Sequence, residues 1–533
     1  MSSQPVLPTN APNDLQSVPD VARPAPAPDA PALPKPTIAE ALLALALLAG
    51  GFYLWHFLGL AILAGRGIGT TLFFLYTLCC SFAYLYARGV RQNRKSLAML
   101  AAAILGSLPF ALYGSRDINF LLVGLETMLC LLWVMCACRT EISQRPNLTI
   151  LGDLLNQCFI VPFANFGRFF TKSFSGTLFG SKKTVRYVFF ATLGVLVSLP
   201  ALFIVTGLLV ASDDGFSGLM ESALALFADV GFEPVNYLFE LALAVPLAAF
   251  IFGSVYGNRH KLHTDKLGER SLLEGFNRAH AIPKAIIYTP LLLFVALYII
   301  YFVAVGGYLF SGLQGKLPVV YTYAEYARKG FFELCAIAAI NLVGIGGIWL
   351  FARRDDREYP PMLRVLTGIL ALLTCLLIVT ALSKMFIYIN AYGLTTLRIY
   401  TSWFMLLVLV VFCLIVAWHA RPSNAARPAL ITALAFALTL GLTNTNAVVA
   451  DHNVDRYLSG ATEQMDIEQL RYLGYPAIPA LNKLKEHSSD ARIKDRADDA
   501  IAYIKDPSAG WIIYASNDWT EMNLEKLLAQ SGR

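Results

Sequence analysis

The sequence predicts an all-α fold: a polytopic transmembrane helical bundle of about eleven spans, flanked by a disordered Pro/Ala-rich N-terminal tail and a small helical extracytoplasmic C-terminal region. Three observations carry this prediction. Of the 533 residues, 56% are hydrophobic and only 15% are charged, against about a quarter charged in soluble proteins. Runs of about 20 apolar residues recur between positions 38 and 450, each long enough to cross a hydrocarbon core of roughly 30 Å. The loops between the runs alternate between basic and cation-poor, the pattern that sorts cytoplasmic from external loops.

Residues 1–37 hold ten of the 26 prolines, in stretches such as "VARPAPAPDAPALPKP". With so little apolar surface to offset its ordering entropy, this part reads as a disordered or polyproline-like tail, either a plain spacer or a proline-rich partner motif. It does not read as a signal peptide, because the apolar run starts late, lacks a basic leader and is too long.

Residues 38–450 form the predicted transmembrane domain, with spans at 40–63, 70–87, 97–113, 118–138, 187–210, 234–256, 286–310, 331–351, 363–389, 400–419 and 429–449. Loop 88–96 carries four Lys/Arg, segment 139–186 seven, loop 257–285 six, and loop 352–362 Arg353, Arg354 and Arg357. Eleven spans put all four on one side. Segment 211–233 carries five carboxylates and no Lys or Arg. The expected topology is therefore a cytoplasmic N-terminus and an extracytoplasmic C-terminus, in a bacterial cytoplasmic (inner) membrane. Two segments are expected to lie along the membrane. Residues 150–170 interrupt their apolar pattern with Asp153, Asn156, Asn165 and Arg168, which suits an interfacial helix and, equally, a re-entrant or short buried one. Residues 216–230 suit an amphipathic helix on the outer face.

The nine cysteines all fall in or beside apolar spans and read as buried thiols rather than a disulfide framework or a zinc site. His260 and His263 are too sparse for a metal site and read as part of a solvated basic loop. Nucleotide-binding, zinc-protease, serine-hydrolase and kinase signatures are missing from the sequence. The expectation is no cofactor, no metal and no catalytic residue. The net charge of +6 is spread over loops where topology explains it, so nucleic acid is not an expected partner.

What remains is ionisable groups at the membrane edge, which are costly there and face a bundle interior or a hydrated cavity. The stretch "YAEYARKGFFELCAIAAINLVGIGGIWL" at 323–350 opens with Glu325, Arg328, Lys329 and Glu333 and then runs without charge. On a helix, Glu325 and Arg328 stand three apart, and Lys329 and Glu333 four apart, so the knot can neutralise itself. A second cluster, "SKMFIYINAYGLTTLRIYTSWF", brings Lys384, Tyr388, Tyr392 and Arg398 to the same side. Gly393 is expected to break the helix and Thr395 to cap the next. The sequence expectation is one charge network of Glu325, Arg328, Glu333 and Arg398, with Lys384, Tyr388, Tyr392, Glu126 and Glu240 as secondary candidates. Glu126 and Glu240 sit inside the fourth and sixth spans. Interhelical bonding and interfacial anchoring compete with a solute, lipid or ion site for all of them.

The stretches "YTYAEYARKGFFEL", "AYGLTTLRIY" and "HNVDRYLSG…MDIEQLRYLGYPAIPAL" resemble those of the bacterial multipass family called domain of unknown function 4173, with its sister family 4153. The likeness is strongest from about 320 to 485 and excludes the proline-rich tail. It implies an integral membrane protein of bacterial type and assigns no reaction. Lys384 departs from it, since similar proteins carry arginine there, and lysine gives up a bidentate carboxylate contact.

Residues 451–533 are soluble in composition, with ten Lys/Arg and fourteen Asp/Glu. Asp466 is expected to cap a helix that ends at Gly474. Pro476 starts another, and Ile493, Ala497, Ala500, Ile501 and Ile504 stripe a third. Such a region is too small to be stable alone and is expected to dock on the outer loops, with "GWIIYASNDW" as an extended addition. Three functions follow, in this order: an envelope-associated scaffold or sensor; a transporter or lipid translocator with its polar site near Glu325 and Arg398; and a transferase acting on envelope lipids. No inverted repeat stands out to support transport. Membrane lipids and an envelope protein are the expected partners, and no small-molecule ligand is indicated.

Overall fold

The computed structural model describes residues 37–59, 67–114, 117–142, 149–173, 233–264, 283–311, 331–352, 360–420, 426–505 and 519–530, with isolated positions within 62–65, 205–219 and 275. Residues 1–36 of the proline-rich tail, Glu325, Arg328, most of the expected span 187–210, most of the acidic segment 211–233 and most of "GWIIYASNDW" lie outside the described residues.

Among the described residues the protein is helical throughout. α1 (Ile38–Tyr53) runs on into a π-helical turn at Leu54–Leu58 and is followed by α2 (Gly67–Ala87), α3 (Arg94–Leu112) and α4 (Asn119–Cys138). Three short helices come next: α5 (Thr149–Leu155), α6 (Val161–Ala164) and α7 (Arg168–Ser173), with a π-helical turn at Asn156–Ile160 between the first two. α8 (Glu233–Arg259) completes the first group, whose core is built on Leu47, Leu85, Leu129, Trp133, Phe252 and Tyr256. α9 (Lys284–Ser311), α10 (Phe331–Phe351), α11 (Pro361–Tyr392) and α12 (Thr396–Ala420) make a second group around Leu291, Leu334, Leu370, Ile378 and Phe412. α13 (Ala426–Leu442) packs against both α3 and α12 and joins the two groups.

Among the described residues, eight helices are long and apolar enough to cross a membrane, starting at Ile38, Gly67, Arg94, Asn119, Phe239, Ala285, Pro361 and Thr396. α13 and α14 (Thr445–Leu458) together make a ninth if the pair counts as one bent span. The expected span 429–449 therefore stops at Leu442, where the chain turns by 64°. The reason is local: Asn444 caps the next helix by accepting the Ala447 N–H at 3.1 Å, and α14 carries a polar face. At the expected span 331–351, α10 is present, but its described apolar part, Glu333–Ile348, is shorter than the eight.

α14 runs continuously through residue 450 into a cap built with α15 (Ile467–Leu473), α16 (Ile478–His487) and α17 (Ala491–Lys505) around Val454, Leu470, Leu481, Leu484 and Ile504. Asp466 caps α15 by accepting the Gln469 N–H at 3.0 Å, and Gly474 ends it at φ +75°. Ala497, Ala500 and Ile504 of the expected stripe are buried, with Ile493 and Ile501 packed beside them. α18 (Leu524–Gln530) returns to the bundle: the Gly114 N–H donates to the Glu525 carboxylate at 2.8 Å, and the Ile68 N–H to the Met522 carbonyl at 2.8 Å. Trp519 lies 5.8 Å from the Phe57 ring and 6.4 Å from Tyr53. The cap is thus docked on the ends of the membrane helices.

Segment 149–173 packs into the bundle instead of lying with its polar side outward. Asp153, Asn156, Gln157 and Asn165 are all buried. The segment sits against α8 at Gly253 and Gly257, where a Cβ would collide with the Pro162 carbonyl and the Asn165 amide. Two glycines one helical turn apart let backbones meet this closely.

Candidate functional site

At the cap end, the expected network is only partly within view, because Glu325 and Arg328 lie outside the described residues. The other members do not meet as expected. Arg398 donates to the carbonyls of Tyr392 (3.2 Å) and Gly393, and its guanidinium lies 4.1 Å from the centre of the Tyr388 ring. It thus satisfies the frayed carbonyls at the end of α11, and among the described residues it forms no ion pair with Glu333. Glu333 is exposed and acts electrostatically on Lys384, which is 3% exposed on α11. The pairing follows the helix faces that pack, and α10 packs mainly on α11. Tyr392 is exposed and stacks edgewise on Tyr388 at 5.2 Å.

Gly393, at φ +79°, breaks the helix, and Thr395 accepts the Arg398 N–H at 3.3 Å to start α12. The cap reads this turn directly. Asn453 exchanges two hydrogen bonds with Leu394, N–H to Oδ1 and Nδ2 to O, each 2.8 Å. Arg456 donates to the Asn390 carbonyl and Gln469 to that of Leu394 at 3.2 Å. A Cβ at position 393 would lie 2.6 Å from Asn453 Oδ1, so only glycine serves there. The "AYGLTTLRIY" cluster is a joint between membrane helices and cap.

Glu240 pairs with His56 at 2.9 Å, and the His56 ring lies among those of Phe52, Phe57 and Tyr237. Glu126 is fully buried. The Cys130 thiol donates to its Oε1 at 3.5 Å, while Oε2 faces Gly106 of α3 without a hydrogen-bond partner among the described residues.

The opposite end gathers charge that the sequence reading had assigned only to topology. Glu40, 2% exposed in the first turn of α1, accepts from the Thr37 N–H at 2.7 Å, from the Thr37 hydroxyl, and from Tyr84 Oη at 3.3 Å. Arg88 lies 3.2 Å from it, and His260 Nε2 lies 3.9 Å away, beyond hydrogen-bond length. Arg259 donates to the Arg88 carbonyl at 2.9 Å. Lys172 and Arg168 from α7 lie within electrostatic reach of Glu40 and Tyr256 respectively. Burial, and after it the Arg259 charge, hold His260 below its ordinary value against the pull of Glu40. Burial and Arg168 likewise lower Lys172. The reading of His260 in a solvated loop is corrected: its side chain is 12% exposed and its ring packs 4.3 Å from that of Tyr256. One signal did point here, the Thr37-x-x-Glu40 spacing of a capping box ahead of an apolar run.

Among the described residues, no group of three or more His, Cys, Asp or Glu could hold a metal. A family model described as "Domain of unknown function (DUF4153)" matches residues 100–484. No curated protein and no solved structure matches the chain.

Proposed function

The chain belongs to the DUF4153 family, and because that description carries no reaction, we propose a function from the molecule's own geometry: an envelope-associated scaffold or sensor of the bacterial inner membrane. The single observation behind it is the double fastening of the cap. Asn453, Arg456 and Gln469 grip the 390–394 turn, while Glu525 and the Met522 carbonyl grip α3 and α2 at their cap-side ends. A folded module held at both its ends is presented in one fixed orientation. We place the cap outside and the basic end in the cytoplasm from the loop charges. The stretches around 321–334 and 391–400 support a tie to family 4173 as well.

A photo-crosslinker at exposed Tyr472 tests this reading in cells. It should trap one defined envelope protein, and Asn453→Ala, which loosens the cap, should abolish the product. Crosslinks indifferent to loosening would sink the proposal. A second reading, a lipid translocator, draws on one observation: a mostly apolar groove of about 300 Å³ beside Arg398, lined by Leu382, Ile389, Trp403 and Leu406. Sustained flipping of labelled phospholipid in vesicles containing the protein, lost in Trp403→Ala, would favour it over the scaffold.

A further inference from the structure

We propose that the groove beside Arg398 binds an anionic phospholipid, its phosphate held by Arg398 and one acyl chain lying along the start of α12. The lining residues share one face. Arg398, Ser402 and Leu406 follow one another at four-residue steps on α12 with Trp403 beside them, and Leu382 and Ile389 of α11 form the facing wall. By helical rise this stripe is about 12 Å long, and the groove holds about 300 Å³. Trp403 is a fixed wall, since its indole N–H donates to the Phe436 carbonyl at 3.0 Å and its ring lies 5.0 Å from that of Phe436. A trough with a cation at one end and apolar walls beyond it has the polarity of a single lipid.

The polar end leaves donors for a ligand. Arg398 commits Nη1 to the Tyr392 and Gly393 carbonyls, and the Tyr388 ring packs on its guanidinium. These contacts fix the group, while Nε and Nη2 make no hydrogen bond, and Arg398 no ion pair, among the described residues. The residue is partly exposed and lines the groove, and neither nitrogen is buried without a partner. That edge of a guanidinium is the forked donor pair that meets two oxygens of a phosphodiester at once. Ser402 lines the same groove one turn further in, and its buried hydroxyl has no hydrogen-bond partner among the described residues. It offers a third donor, to a phosphate or ester oxygen.

Charge selects the headgroup. Among the described residues no carboxylate lines the groove. A zwitterionic lipid would bring an ammonium with nothing to receive it, whereas an anionic one neutralises an arginine whose charge is costly at the membrane edge. Free phosphate would fill only the Arg398 end and leave the apolar walls uncovered. Arg398 grips the same 390–394 turn that Asn453, Arg456 and Gln469 hold from the cap side, so the headgroup lies at the joint between membrane and cap. The translocator reading uses the same groove, but a lipid that binds and stays is sufficient here, and binding is measured apart from flipping.

The test uses the full chain in nanodiscs of phosphatidylcholine doped with brominated phosphatidylglycerol or with brominated phosphatidylcholine. Bromine quenches a tryptophan that it touches, and the Trp403 signal is the difference between the wild type and Trp403→Phe. Half-quenching should need a mole fraction of phosphatidylglycerol about fivefold or more below that of brominated phosphatidylcholine. Arg398→Gln should erase the preference. Ser402→Ala, which disturbs neither the turn nor the cap, should reduce it about twofold or more, and it decides the matter if Arg398→Gln fails to fold. A preference without lipid flipping supports the site and counts against the translocator. Equal quenching by the two lipids, or a preference unchanged in either folded variant, would overturn the proposal.

Discussion

Asn258 and Gln157, 101 residues apart in sequence and both fully buried, exchange a pair of side-chain amide hydrogen bonds of 2.8 and 3.2 Å. Thr140 donates to the same Asn258 oxygen. This amide pair ties the π-helical turn of segment 149–173 to the end of α8. Asn258→Ala would leave Gln157 unsatisfied and should cost about 1–3 kcal/mol. Asn258→Leu combined with Gln157→Leu should lose less than the two single changes summed. Detergent unfolding midpoints of the three variants measure it, and strict additivity would mean that the bonds are not made.

Gly257→Ala should undock the same segment, because its Cβ would strike the Asn165 amide. Cys158, half-buried on that segment, reports the change. Maleimide labelling in membranes should speed up severalfold in the variant. An unchanged labelling rate would show that the backbone approach is looser than described.

Arg398→Ala should lower the unfolding midpoint, since it removes two carbonyl contacts and the contact with Tyr388, together about 1–2 kcal/mol. With Glu333→Gln added, the losses should simply sum, because the two residues do not touch. Lys384→Met with Glu333→Gln should instead be non-additive. Coupling of Arg398 to Glu333 would restore the network expected from sequence.

Burial pushes the Asp153 carboxyl up from an ordinary 3.8 to about 6, against the Ile142 N–H that bonds it at 2.9 Å. A raised folded value favours the protonated form, so its stabilising share is complete below about pH 4 and is lost as pH climbs through 6. Asp153→Asn should match the wild type at pH 4 and exceed its midpoint by a few degrees at pH 7. A constant difference across that range would show that the carboxyl does not titrate there.

Asn453→Ala removes both bonds to Leu394 and should free the cap from the 390–394 turn. Limited proteolysis of the variant in detergent should release a fragment starting near residues 459–465 several times faster than in wild type. Equal rates would leave α18 and Trp519 as the fastening that matters.

Much of the architecture follows from local pattern. The apolar runs gave α1–α4, α8, α9, α11 and α12, because a membrane helix satisfies its backbone within itself and needs only length and apolarity. Caps were also readable: Thr395 and Asp466 each bond an N–H three residues on, a relation contained within one turn. The α17 stripe at Ala497, Ala500 and Ile504 follows from helical period alone.

Tertiary structure decided everything that depends on which faces meet. Glu40, Arg88, Lys172 and His260 span most of the first half of the chain, and no periodicity links them; packing of α1, α2, α7 and α8 does. Arg398 looked like a partner for distant acids, yet the carbonyls that α11 leaves unpaired at Tyr392 and Gly393 lie closer and need a donor. The polar residues of 150–170 suited a membrane surface and a buried or re-entrant helix equally, and they turn inward because Asn258 and the Leu262 carbonyl offer partners there. A sequence states how many hydrogen bonds and charges must be satisfied, but only the assembled fold brings the satisfying groups within reach, because those contacts cross large separations in the chain.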